Sequence, residues 1–149
     1  MKHHKAYRPR EVSPSAIMAV LLKSQLIEPL LCDAKESELD AALAALLAGK
    51  ATAYTMDVLI DAANIGGERM RYGDFEEGAY HVISAKHALE TIKERQTKTG
   101  KLGCSLPEHR AIDDYIPVYI AMMRTSTHQE MRAASKPIMA AQMRMEKAA

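Results

Sequence analysis

"ELDAALAALLAGKATAYTMDVLIDAANI", residues 38–65, decides the fold. Leu39, Leu43, Leu46 and Leu47 recur at i, i+4, i+7 and i+8, which puts them on one face of a helix. Gly49 stops that helix, because glycine enters the left-handed backbone region without a Cβ penalty. Thr52 then supplies an N-cap, and Met56, Leu59, Ile60 and Ala63 form a second apolar stripe. The stretch predicts two amphipathic helices, the first starting near Ser37, joined by a tight turn.

This outline is also that of a helix-turn-helix, with Ala45 four residues before Gly49 and Val58 placed for burial. The chemistry does not follow the outline. The would-be recognition helix, 53–65, has no Lys or Arg and carries Asp57 and Asp61. A helix entering the major groove presents basic or amide groups to phosphates and base edges, and Asn64 alone does not supply them. A plain helical hairpin accounts for the same pattern.

The helical pattern continues on both sides. Ser13-Pro14 gives an N-cap and a first-turn proline, followed by Ile17, Val20 and Leu21. Pro29 ends that helix, since the residue before a proline disfavours helical geometry. Cys32 is expected to pack with Leu30 and Leu31. Downstream, Gly66-Gly67 weakens the third helix, which continues to Tyr72 or bends there, and Gly73-Asp74 marks a boundary. Phe75, Val82, Ala85, Leu89 and Ile92 line a fourth helix that ends before Gly100 and Gly103. Ser105 and Glu108 read as a capping box, and Ile112, Ile116, Tyr119 and Met123 carry a fifth stripe. That pattern fades through 125–130 and resumes at Met131, Ala134 and Ile138. Pro117 and Pro137 are expected to kink or divide this segment.

Strand signals are nearly absent. The sequence therefore predicts an all-α fold: about five helices in a bundle or in packed helical hairpins. A long kinked C-terminal helical arm and a flexible basic N-terminal arm complete it. Residues 1–12 form the arm and 13–149 a single helical domain, which suits a chain of 149 residues. The 10 methionines and the absence of Trp indicate a pliable core or an adaptable surface. Met122, Met123, Met131, Met139, Met143 and Met145 give the C-terminal segment more apolar surface than a short bundle covers, which predicts a homodimer.

The net charge is +1, but it is unevenly placed. Lys2, Lys5, Arg8 and Arg10 lie in the first ten residues, leaving 16 basic against 19 acidic residues in the rest, a net −3. The body is thus no general polyanion binder. Basic residues recur in "KERQTKTGK" (93–101) and as Arg124, Arg132, Lys136, Arg144 and Lys147. Acids gather in 28–40 as Glu28, Asp33, Glu36, Glu38 and Asp40. The candidate partner-binding residues are Lys2, Lys5, Arg8, Arg10, Arg124, Arg132, Lys136 and Arg144.

Catalytic and cofactor signatures are weak. "AGKAT" (48–52) contains Gly-Lys, but a P-loop needs glycine where Ala44 stands. "NIGGERM" (64–70) lacks a preceding strand and a third glycine. His81 and His87 fall on different helix faces, and His109 with Asp113 gives two metal ligands without a third. Cys104 precedes a helix N-terminus, where the dipole would lower a thiol pKa, yet no base is assignable. The chain is read as a non-enzyme without cofactor or metal. Two cysteines, a charged N-terminus and no apolar run near ~18 residues predict a cytoplasmic protein without a membrane span.

"YRPREV" (7–12), "GKATAYTMDVLIDAANI" (49–65), a long fourth helix and a C-terminal arm together resemble small all-helical proteins encoded by bacteriophages and prophages of Gram-negative bacteria, some labelled Fis-like regulators. The resemblance spans about the whole chain and carries no catalytic motif. It implies an accessory protein that binds a host or phage protein, for example to block a defence system. The alternative is a small DNA-binding regulator that uses the basic arm and the C-terminal basic patch.

Overall fold

The structure, a computed structural model, describes residues 15, 18, 21, 24–73 and 75–149. The basic arm and the Ser13-Pro14 cap lie outside the described residues. Ser15, Met18, Leu21 and Ser24 are helical. Five helices follow: α1 (Pro29–Leu47), α2 (Ala53–Met70), α3 (Ala79–Thr99), α4 (Leu106–Arg124) and α5 (His128–Ala148). A 3₁₀ turn, Glu76–Gly78, leads into α3. The all-α bundle is as expected.

Local signals explain most of the boundaries. The Thr52 hydroxyl accepts the Thr55 N–H, and the Thr55 hydroxyl accepts the Thr52 N–H, closing a capping box on α2. Ser105 and Glu108 do the same for α4. Gly49 and Gly100 both take φ 71°, the left-handed conformation that ends α1 and α3.

One boundary differs from the sequence reading. α1 begins at Pro29, not near Ser37. Proline is compatible with the first helical position because its missing N–H has no intrahelical partner there. The same residue that closes the preceding helix therefore opens the next one. Pro117 and Pro137 lie inside α4 and α5 without dividing them. Both are exposed, as are Asp113 and Ala133, whose carbonyls lose a backbone donor. The C-terminal segment instead turns at residues 125–127. There Ile27 N–H donates to Ser126 O (3.3 Å) and His128 N–H to Gln25 O (3.1 Å), tying the start of the bundle to its last corner.

α1 and α3 pack on α4, and α2 lies among α1, α3 and α5. The core is built from the anticipated stripes: Leu39, Leu43 and Leu46; Met56, Leu59 and Ala63; Val82, Ala85, Leu89 and Ile92; Ile112, Ile116, Tyr119 and Met123; Met131 and Ala134. Leu21 and Leu47, expected in the core, are exposed. So are Leu30 and Leu31, while the neighbouring Cys32 is fully buried. The early start of α1 turns Cys32 inward, and its two leucine neighbours then rotate to solvent.

Gly66 has a packing role. A Cβ built on it would stand 1.9 Å from the Tyr115 hydroxyl and 3.3 Å from the Tyr119 ring. The glycine lets α4 approach α2 so closely that Tyr115 Oη donates to Ala62 O at 2.6 Å. Burial pushes Tyr115 far above the ordinary phenol range and Tyr119 up to about 12.

Candidate interaction surface

α5 is held to the bundle along one face. At its start the Thr127 hydroxyl accepts the Glu130 N–H (3.1 Å), and Glu130 Oε1 accepts the Thr127 N–H (3.0 Å). The other carboxylate oxygen of Glu130 accepts from Arg69 at 2.6 Å. Arg69 is buried on α2, its Nε donates to Ser126 Oγ at 2.9 Å, and its guanidinium lies 5.0 Å over the Phe75 ring. Ser126 is fully buried and donates to Met122 O at 2.6 Å. The Thr127 backbone N–H, with Arg69 beside it, holds the Glu130 carboxyl below the usual range. Farther along, Gln142 Nε2 donates to Asp61 Oδ1 at 2.8 Å.

With that face docked, the outer flank of α5 is fixed as well. Arg132, Lys136, Met139, Met143 and Lys147 follow at i, i+4, i+7, i+11 and i+15, one line along the helix. All five are exposed, Met139 at 59% and Met143 at 57%. Among the described residues no ion pair engages Arg132, Lys136 or Lys147. Glu146 borders the C-terminal end of the stripe. Met122, Met123 and Met131 are buried, so the exposed methionines of the C-terminal segment, Met139, Met143 and Met145, lie in the second half of α5.

The other basic candidates are placed elsewhere. Arg144 lies about 100° round the helix from Met143 and donates to Ala140 O (3.3 Å). Arg124 is bound to Asp33 and lies 3.7 Å from Glu36. The acidic segment 28–40 is likewise largely engaged within the fold: Glu38 pairs with Lys35, and Glu28 lies 3.1 Å from His128. Lys2, Lys5, Arg8 and Arg10 lie outside the described residues.

The chemical candidates do not assemble into a site. Arg95 grips Glu108 with two 2.8 Å bonds and donates to Gly103 O (3.3 Å), fastening the α3–α4 loop. Arg95 holds Glu108 below the ordinary carboxylate range. Cys104 sits in this loop. Burial, with the Glu108 carboxylate next to it, pushes its thiol up, which corrects the lowering expected from the helix dipole. Among the described residues no three His, Cys, Asp or Glu side chains converge as a metal site, and His109 makes no bond to Asp113.

Sequence reasoning missed Arg69, Ser126 and Glu130. The signal available was Thr127-x-x-Glu130, a second capping-box pattern inside the stretch read as a polar fade. No protein-family profile, curated protein or solved structure matches the chain.

Proposed function

We infer that the protein is a non-catalytic, protein-binding accessory factor whose docking element is α5. In keeping with the resemblance to phage-encoded helical proteins, its role is to inhibit or modulate a bacterial macromolecular complex inside the host cell. The observation that carries this reading is the exposed stripe Arg132–Lys136–Met139–Met143–Lys147. Methionine side chains adapt to irregular apolar surfaces, and flanking cations select a partner with carboxylates beside that surface. A helix already formed, and docked through Met131, Ala134 and the Gln142–Asp61 bond, presents the stripe in helical register, which lowers the ordering cost of binding.

The stripe suits a nucleic acid less well. Its centre is apolar, and three cations make few phosphate contacts. The experiment is affinity purification from a bacterial lysate, with nuclease added, using the native chain and an Arg132→Glu/Lys136→Glu/Met143→Glu variant. All three positions are exposed, so the variant keeps its thermal midpoint. A stoichiometric protein held by the native chain and lost by the variant is the expected result. Equal recovery by both chains, or no partner at all, removes the proposal. A gel shift with duplex DNA that is lost by the variant and falls steeply with salt selects the regulator reading instead.

A further inference from the structure

A second surface, separate from α5, lies between the 3₁₀ turn and α4. Phe75, Val118 and Met122 line a groove of about 750 Å³, and Glu76, Glu77 and His81 stand along it. Gly78 lets the turn lie flat on α4, since a Cβ there would come within 2.9 Å of Val118. No Lys or Arg lines the groove. Elsewhere Asp33, Glu36, Glu38, Glu68, Glu108 and Glu130 are already paired with cations of the fold. Glu76 and Glu77 have no ion-pair partner among the described residues. They are adjacent carboxylates beside an apolar floor, an arrangement that fits a short basic segment with an apolar side chain.

The chain itself contains such a segment. Residues 1–12 carry Lys2, Lys5, Arg8 and Arg10, one acid at Glu11, and the apolar Tyr7 and Pro9 between the cations. Ile27 N–H is bonded to Ser126 O, so the N-terminal part of the chain meets the bundle one residue from Thr125, which lines the groove. Ser15, Met18, Leu21 and Ser24 are helical, so that stretch rises only roughly 14 Å; with extended chain on either side Val12 reaches up to roughly 34 Å from Ile27, still beyond the roughly 28 Å length of α4. We propose that residues 1–12 dock in the Phe75–Met122 groove of their own chain, with the arm cations on Glu76 and Glu77 and Tyr7 on the apolar floor.

The test is carbodiimide zero-length crosslinking of the full chain, read by peptide mass spectrometry. A link between Lys35 and Glu38, which are in contact, is the internal control. The expected result is a link from Lys2 or Lys5 to Glu76 or Glu77. It disappears in a Glu76→Gln/Glu77→Gln variant of unchanged melting temperature, and at ~1 M salt, where screening acts over about 3 Å. The proposal is overturned if the control forms while the arm lysines link to nothing, or link equally to other exposed acids. Mixing isotopically heavy and light chains completes the test. Links within one chain support the assignment, and links between heavy and light chains refute it.

Discussion

Arg69 and Ser126 stand 57 residues apart in sequence and meet at 2.9 Å, Nε to Oγ, with both side chains buried. This contact joins α2 to the corner before α5 and so fixes which flank of α5 faces solvent. The cost of breaking it depends on which partner is removed. Ser126→Ala leaves the buried Nε–H without its acceptor and is expected to cost about 1–3 kcal/mol. Glu130→Gln costs less, about 0.5–1 kcal/mol, because the carboxylate side chain is 44% exposed and water replaces the lost bond. Urea unfolding of the two variants checks the order. Glutamine at 130 can still accept the Thr127 N–H, so a larger loss for Glu130→Gln would mean that the ion pair with Arg69, not the buried bond to Ser126, holds the corner.

Stability is expected to fall in acid for a reason visible in two carboxyls. Arg95 holds Glu108, and the Thr127 N–H holds Glu130, below the ordinary carboxylate range. A depressed folded-state pKa stabilises the fold above the unfolded value, and the gain is lost as pH falls through the folded one. Asp61 has the opposite sign: burial raises it above the ordinary Asp range, so ionisation costs stability as pH rises through its folded value. Asp61→Asn is therefore expected to raise the urea midpoint at about pH 7, and the gain should vanish below the ordinary Asp range. Glu108→Gln should flatten the acid limb. An Asp61→Asn gain that persists undiminished in acid would contradict the burial argument.

The helices could be read from sequence because their signals are local. Leu39, Leu43 and Leu46 share a face by spacing alone, and Thr52, Ser105 and Glu108 cap helices within three residues of themselves. Arg69 could not be read so. Its burial depends on Ser126 and Glu130, which arrive only once α5 has docked. Pro29 was ambiguous for a physical reason, since proline both disfavours helix before it and is compatible with helix from it onward. The basic candidates separated only in three dimensions. Arg124 meets Asp33 across α4 and α1, whereas Arg132 and Lys136 project beside Met139 and Met143.

The cysteines are expected to be unreactive in the native state. Cys32 is fully buried and its thiol is pushed up by burial. Cys104 is partly buried, and its thiol is raised by burial and by Glu108. Only the thiolate attacks an aromatic disulfide reagent, so at about pH 7 Cys104 should react more slowly than a free thiol. Cys32 should react only after unfolding. A Cys104 rate above that of free cysteine would reopen a nucleophilic role for this loop.

The adjacent glycines of α2 are expected to respond in opposite ways. At Gly66 an added methyl meets the Tyr115 hydroxyl at 1.9 Å, and that ring is pinned by its bond to Ala62 O. Gly66→Ala must therefore push α4 away from α2 or break the tyrosine bond, a loss of about 3 kcal/mol. At Gly67 the nearest atom is Lys86 Nζ, 2.8 Å away, the free end of a flexible side chain. Lys86 can swing aside, and alanine gains up to about 1 kcal/mol of helix propensity over glycine. Gly67→Ala should thus be neutral or stabilising. Thermal melts of the two single variants decide the matter. Equal destabilisation would show that the pair is needed for backbone flexibility, and a tolerated Gly66→Ala would show that the α2–α4 approach is looser than the tyrosine contact implies.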